Sequence, residues 1–505
     1  MEMKVSRKVL ARCAKTIAAV AVAGLLASCS GDGGTGGVGV NGAGSGDGSG
    51  TPGHGQTGET ASGYATGTNI ALPLQPAQIT WLHSGTEEPQ RSYWAQVAAD
   101  FEAQHPGVEV TVTAVDSQEL RGNALTQAIS AGQAPDLFQS WGGGQLTEWV
   151  NRGYARDLSE VMTPSLNSLS SGAATNWEVD GHAFGLPYAV GPAGFWVNLN
   201  LLNDAGLVTG ATIDETGNVV SGTVDWPTDL AGLYAMWDTL ADHGITPVAV
   251  AGGSGWAGPW WYFALITELC SADAISAAAE LRDFSDSCWE EAGSTLKQLV
   301  STGAFNTDWS TTPAQGDASS AAGQVVLGNA AMEFQGPWGR TVMANILQTE
   351  TGDAARDANF IAWFPFPNRD GAGHGNIMAA GDGFSVIDPE LSSQAQSDAA
   401  AALLGFILSE QVQAEGLNFN WHGRNVVALP GVPTNAAAAG QITDPVLAKQ
   451  AQAVSAAAAQ IPWLDVYLGT TVGSAMNNSI NSLMRGQISA ADAIANIRTA
   501  AGNIG

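Results

Sequence analysis

The sequence predicts an α/β protein with mainly parallel sheets. Two observations carry that reading. From about residue 79 to about residue 250, short β-branched or aromatic runs alternate with segments of helical period. From about residue 395 to the end, the pattern is mostly helical. Composition adds a third constraint. A chain of 505 residues that is 45% hydrophobic and 13% charged is not disordered as a whole. Its length suggests roughly two or three domains.

The elements follow in order. Ile79 to Leu82 reads as a buried strand. Trp94, Val97, Ala98 and Phe101 share one helix face, and Pro106-Gly107 ends that helix. Val108, Val110 and Val112 alternate with polar residues as a second strand. Leu120 to Ala131 is helical and stops at Gly132, before a short third strand at Asp136-Leu137-Phe138. Val248-Ala249-Val250 is a later strand. Four helices are expected near the C-terminus, over Ala399 to Leu408, Asp444 to Ala458, Val472 to Met484 and Ala490 to Thr499. There is no internal repeat of the solenoid kind.

In open α/β sheets, ligands bind beyond the carboxyl ends of strands. Those positions here are His83-Ser84-Gly85-Thr86-Glu87, Trp141-Gly142-Gly143-Gly144, and Gly252-Gly253-Ser254-Gly255-Trp256 with Trp260 and Trp261. Trp beside Gly recurs, in a chain with 17 Trp against 7 Tyr. Gly lets the backbone approach a ligand, and Trp offers a flat apolar face with one donor. That pairing suits a neutral, ring-shaped, hydroxylated ligand such as a sugar.

The formal charge of −29 argues against nucleic acid and anionic membrane surfaces, which attract basic patches. The few basic residues cluster at the start: Lys4, Arg7, Lys8, Arg12 and Lys15 precede an apolar run from Thr16 to Ala27. The run fits a signal-peptide core and is too short to span a bilayer core of ~30 Å. It ends in Leu26-Ala27-Ser28-Cys29, which resembles the lipobox of bacterial lipoproteins, with Cys29 lipidated. Removing residues 1–28 takes away five basic residues and one acid, Glu2, and moves the charge from −29 to −33. Ser30 to Thr68 is Gly-rich and reads as a tether, with a reach on the order of 35 Å. The expected location is therefore extracytoplasmic, anchored to the outer face of the cytoplasmic membrane. Of four Cys, Cys13 leaves with the signal and Cys29 carries lipid, so Cys270 and Cys288 are expected to pair in an oxidising compartment. The His residues are scattered and no C-x-x-C is present, so no metal site and no cofactor are expected.

From Ile79 onward the chain resembles the extracellular solute-binding proteins of bacterial ABC importers, in the large sugar-binding family. The resemblance rests on motifs that occur in order. They are Trp94 to Glu102 with Pro106-Gly107-Val108, Ala131 to Phe138, Gly185-Leu186-Pro187-Tyr188 with Trp196 to Asn200, and Trp226-Pro227-Thr228 with Gly244 to Val248. After these come Asn329 to Met332 with Gly336-Pro337-Trp338, and Gly381 to Val386. Where the family has Tyr-Asn-Lys, Asn198 or Asn200 stands in and the Lys is missing. The segments Tyr467 to Gly473 and Leu483 to Gly486 resemble the subgroup that takes di- and oligosaccharides.

The resemblance implies a two-lobe periplasmic-binding-protein-like fold of type II, with a hinge and an interlobe ligand cleft. Residues 1–28 would be signal, 29–76 lipidated Cys and tether, 77–188 plus 369–412 the first lobe, and 189–368 plus 413–505 the second. It implies a monomer that captures a neutral sugar by hinge closure and delivers it to the permease transmembrane subunits, without catalysis. The residues expected at the ligand are Trp338, Trp256, Asp382, Trp141, Gly142, Trp260, His83, Glu87, Arg424, Trp421 and Asp465. Trp260 and Trp261 are adjacent, so at most one should face the cleft. Trp81 and Trp94 are expected in the core. The other reading is a secreted glycoside hydrolase with a Trp-lined cleft, which needs two suitably spaced carboxylates.

Overall fold

The structure, a computed structural model, describes residues 63–505 apart from 122–123, 354–356, 368–373 and 503–505. The expected signal segment, Cys29 and most of the expected tether lie outside the described residues. Among the described residues, no helix is long and apolar enough to cross a membrane.

The described chain forms two lobes around two main hydrophobic cores. The first is built on a seven-stranded sheet, in the order Val432–Pro433, Leu186–Pro192, Ile377–Val386, Leu137–Ser140, Ala77–His83, Val108–Ala114, with Gln460–Ile461 beside Ile377–Val386. The second core surrounds a three-stranded sheet of Met332–Gln335, Gly194–Asn198 and Ile361–Phe364. The helix Gln90–Gln104 buries Trp94, Val97, Ala98 and Phe101, as their spacing predicts. The C-terminal helices occur at Gln394–Ile407, Pro445–Ala456, Thr470–Met484 and Ala490–Gly502.

Four expectations are corrected. The sheets are mixed rather than mainly parallel. Ala77–His83 pairs in parallel with Val108–Ala114 and Leu137–Ser140, but Ile377–Val386 runs antiparallel to Leu137–Ser140 and Leu186–Pro192, and the second sheet is wholly antiparallel. Only strands joined by a local helical crossover need be parallel; those carrying the chain between lobes run either way. The helix expected from Leu120 to Ala131 is two pieces, Ser117–Arg121 and Ala124–Ser130. Val248 makes only isolated bridges, to Phe305 and Met332. Finally, the end of the expected tether packs: Ala65 and Thr68 are buried, and Ser165 donates to the Gly67 carbonyl at 2.8 Å. Gly67 and Gly405 allow this, because a Cβ on either would collide with the other segment.

The segment after 413 also stays longer with the first lobe than expected. Leu417, Ala428 and Leu429 belong to the first core, and Val432–Pro433 lies at the edge of its sheet. Two long strands join the lobes. Leu186, Tyr188 and Ala189 pack in the first core while Ala193 packs in the second; Phe384 and Val386 pack in the first while Met378 and Ala380 pack in the second. Asn198, where the family's Tyr-Asn-Lys was expected, caps the helix Leu199–Asp204 and donates to the Val325 carbonyl at 2.8 Å. Cys270 and Cys288 form the expected disulfide, tying the end of helix Trp260–Leu269 to the start of helix Cys288–Val300.

Candidate ligand-binding site

The two joining strands are antiparallel, and their register slips between Asp382 and Gly383. Asp382 pairs with Ala189 and Gly383 with Pro187, which leaves Tyr188 as the extra residue of a β-bulge. Bulges re-aim side chains and concentrate beside functional sites. Here both Asp382 and Tyr188 line a cavity between the lobes.

The first lobe builds one wall of that cavity around the Asp382 carboxylate. Trp141 donates its indole N–H to Asp382 Oδ1 at 2.7 Å, and Gln139 Nε2 donates to the same oxygen at 3.3 Å. A carboxylate accepting from neutral donors is held in place and makes stronger bonds than a neutral acceptor would. Tyr188 Oη accepts from Gln90 Nε2 at 3.5 Å. Burial, and secondarily the negative Asp382, push the Tyr188 phenol well above its usual range, so it stays a neutral hydroxyl.

The second lobe supplies aromatic faces. Trp338 precedes helix Gly339–Thr351, and its ring lies across Gly336, where a Cβ would collide with it. Trp256 meets Trp260 edge-on at 4.9 Å and Trp338 at 6.2 Å, while Trp260 stacks on Trp463 at 4.5 Å. Trp338 and Trp256 line the cavity; Trp260 and Trp463 lie buried behind them. Trp261 is also buried, against Phe195 and Phe334.

Five residues named from the sequence therefore meet at one cavity: Trp338, Trp256, Asp382, Trp141 and Glu87. The others sit elsewhere. Gly142 has φ +71° and lies against Asn176, where a Cβ would clash; it shapes the turn into helix Gly143–Asn151. His83 is buried, its Nδ1 accepting from the Gly85 N–H at 3.0 Å, and burial lowers its pKa to about 4. It holds the loop and does not line the cavity. Asp465 accepts from Asn477 at 3.2 Å in the second lobe. Arg424 pairs with Asp357 at 2.8 Å, and Trp421 lines a second, separate cavity together with Asp357.

Sequence reasoning passed over Tyr188, Gln90, Asp116, Gln315 and Thr341, all of which line the first cavity. Tyr188 was legible within Gly185-Leu186-Pro187-Tyr188 but carried no sign of a bulge. Gln90, Gln315 and Thr341 are isolated polar residues with no local signal.

A family model described as "Bacterial extracellular solute-binding protein" matches residues 84–414. A search of curated proteins returned no match. Solved structures share the fold. A chitin oligosaccharide binding protein aligns with TM-score 0.68 and 21% identity over 84% of this chain and 98% of that one. Maltose-bound T. maritima MalE3 aligns with TM-score 0.62 and 16% identity, over 84% and 99%. The solute-binding protein RafE in complex with raffinose aligns with TM-score 0.62 and 16% identity, over 84% and 98%.

Proposed function

The chain belongs to the bacterial extracellular solute-binding proteins, and from that premise we propose that it captures a neutral di- or oligosaccharide for an ABC importer. The observation that carries the sugar assignment is the pairing across one cavity. Trp338 and Trp256 face the Asp382 carboxylate and its Trp141 partner from the opposite lobe. Indole faces take the C–H side of a pyranose, and a carboxylate takes two hydroxyls. No group in this arrangement needs the ligand to carry charge.

In this reading the sugar favours the closed arrangement because it contacts both lobes, and an open–closed equilibrium shifts by the difference in affinity between the two states. The closed form docks on the permease transmembrane subunits and releases the sugar unaltered. Lipid on Cys29 would hold the protein at the outer face of the cytoplasmic membrane, with the lobes acting as a monomer. The names of the fold relatives, which include binders of chitin oligosaccharide, maltose and raffinose, support the sugar class.

A thermal-shift screen against mono-, di- and oligosaccharides tests the reading. A ligand at 100 times its Kd should add about 2.7 kcal/mol of stability. Amino acids, metals and phosphate should add nothing. A response only to a cationic or peptide ligand would overturn the sugar assignment. Product analysis after incubation with xylo- and cello-oligosaccharides tests the hydrolase alternative, to which Glu87, Asp116 and Asp382 around one cavity give a carboxylate set. The expected product is none.

A further inference from the structure

Beside the Trp-lined cavity lies a second one, also between the lobes. Its volume is about 280 Å³, against about 90 Å³ for the first. One hydrogen bond stands between them. Asn345 Nδ2, on helix Gly339–Thr351, donates to Glu87 Oε2, in the loop after strand Ala77–His83, at 2.8 Å. Glu87 lines the first cavity and Asn345 the second. Thr341, four residues before Asn345 and so on the same helix face, lines both.

We propose that the second cavity is a further sugar subsite and that the Glu87–Asn345 bond is a partition that sets how long a sugar the cleft accepts. This rests on the sugar-binding reading above. The chemistry of the second cavity matches that of the first. Its charges are neutralised in place: Arg340 pairs with Asp444 at 2.6 Å, Asp357 with Arg424 at 2.8 Å, and Glu88 with Arg91 at 2.7 Å. Trp421, half-buried, supplies an aromatic face. Charges consumed by each other, amides and the Trp421 indole favour a neutral hydroxylated unit over an ion. The bond joins two flexible side chains from opposite lobes, so a sugar hydroxyl can replace the Asn345 amide on Glu87 and let a longer chain pass.

The test is titration calorimetry of the protein with cello-, xylo-, malto- and chito-oligosaccharides of one to six units. Two variants accompany the wild type: Asn345→Ala, which removes the partition, and Trp421→Ala, which removes the second aromatic face. For the ladder that wild type binds, Asn345→Ala should improve affinity for the longer members about tenfold relative to the shortest. Trp421→Ala should weaken the longer members about tenfold and leave the shortest unchanged. If both variants bind every length as wild type does, the partition and second subsite are rejected while the sugar-binding reading stands. If no ladder binds wild type at all, both fall together. Melting curves of each variant identify misfolding; if one variant misfolds, wild-type affinities for every length in the other reject the proposal.

Discussion

The two lobes each hold a cluster of indole rings beside the cleft, but the clusters do different work. In the first lobe, Trp81 and Trp94 meet edge-on at 5.3 Å, and Tyr188 closes on Trp94 at 4.9 Å and stacks on Phe384 at 5.0 Å. Both indoles are fully buried, and the cluster reaches the cavity only through the Tyr188 edge. In the second lobe, Trp260 and Trp463 are fully buried and back Trp256 and Trp338, which line the cavity although Trp256 is itself largely buried. A Trp count alone cannot separate packing rings from cavity-lining rings. What separates them is whether a cavity opens beside the ring: in the second lobe, Trp260 and Trp463 back Trp256 and the half-buried Trp338, both of which line one.

Four experiments would break or sharpen that contrast. Trp94→Ala should destabilise the first lobe by about 3–5 kcal/mol, the usual cost of truncating a buried indole. Denaturant unfolding measures it, and the folded fraction should bind ligand as wild type does. Reducing the Cys270–Cys288 bond should cost the second lobe about 3 kcal/mol, the chain-entropy value for a loop of this order. A lowered melting point under reductant, absent in a Cys270→Ala/Cys288→Ala variant, is the check.

Trp338→Ala should weaken the sugar ligand more than tenfold, about 1.4 kcal/mol or more, while moving the melting point of the free protein little. Wild-type affinity in that variant would place Trp338 among the packing rings. The remaining effects concern pH, are spread over several pH units, and should have opposite sign in the two lobes. Burial lowers His83 to about 4, so the unfolded chain binds more protons between about 4 and 6.5. Its contribution to stability is complete above 6.5 and is lost as pH falls toward about 4. Burial raises Glu268 to about 8 from 4.5, so its contribution is complete below 4.5 and is lost as pH rises toward about 8. Each slope is at most about 1.4 kcal/mol per pH unit. His83→Gln should flatten the acid side of the stability profile, and Glu268→Gln the alkaline side.

Much of this was legible in local sequence. The Trp94, Val97, Ala98, Phe101 spacing fixes a buried helix face, and Gly336-Pro337-Trp338 marks a ring that only a Gly two residues earlier leaves room for. The candidate site was half legible. Trp338, Trp256, Trp141, Asp382 and Glu87 were named because Trp and acid beside Gly at strand ends carry a local signal. His83 and Gly142 carried the same signal and lie off the cavity, because the side of a loop that faces a cavity is set by what packs on its other side. Trp421 falls at a different cavity, and Arg424 pairs with Asp357 of that cavity, because the chain stays with the first lobe past residue 413 before crossing back.

By itself the sequence determined the alternation of strands and helices, the pairing of Cys270 with Cys288 by elimination, and the class of side chain gathered at strand ends. These depend on residues near one another in the chain, or on counting. The tertiary structure alone decided the antiparallel joining strands, the bulge that turns Asp382 and Tyr188 toward one cavity, and the Glu87–Asn345 contact across 258 positions of sequence. The physical reason is the same in each case. A register slip of one residue, or a contact between lobes, costs and gains energy through partners that no local pattern specifies.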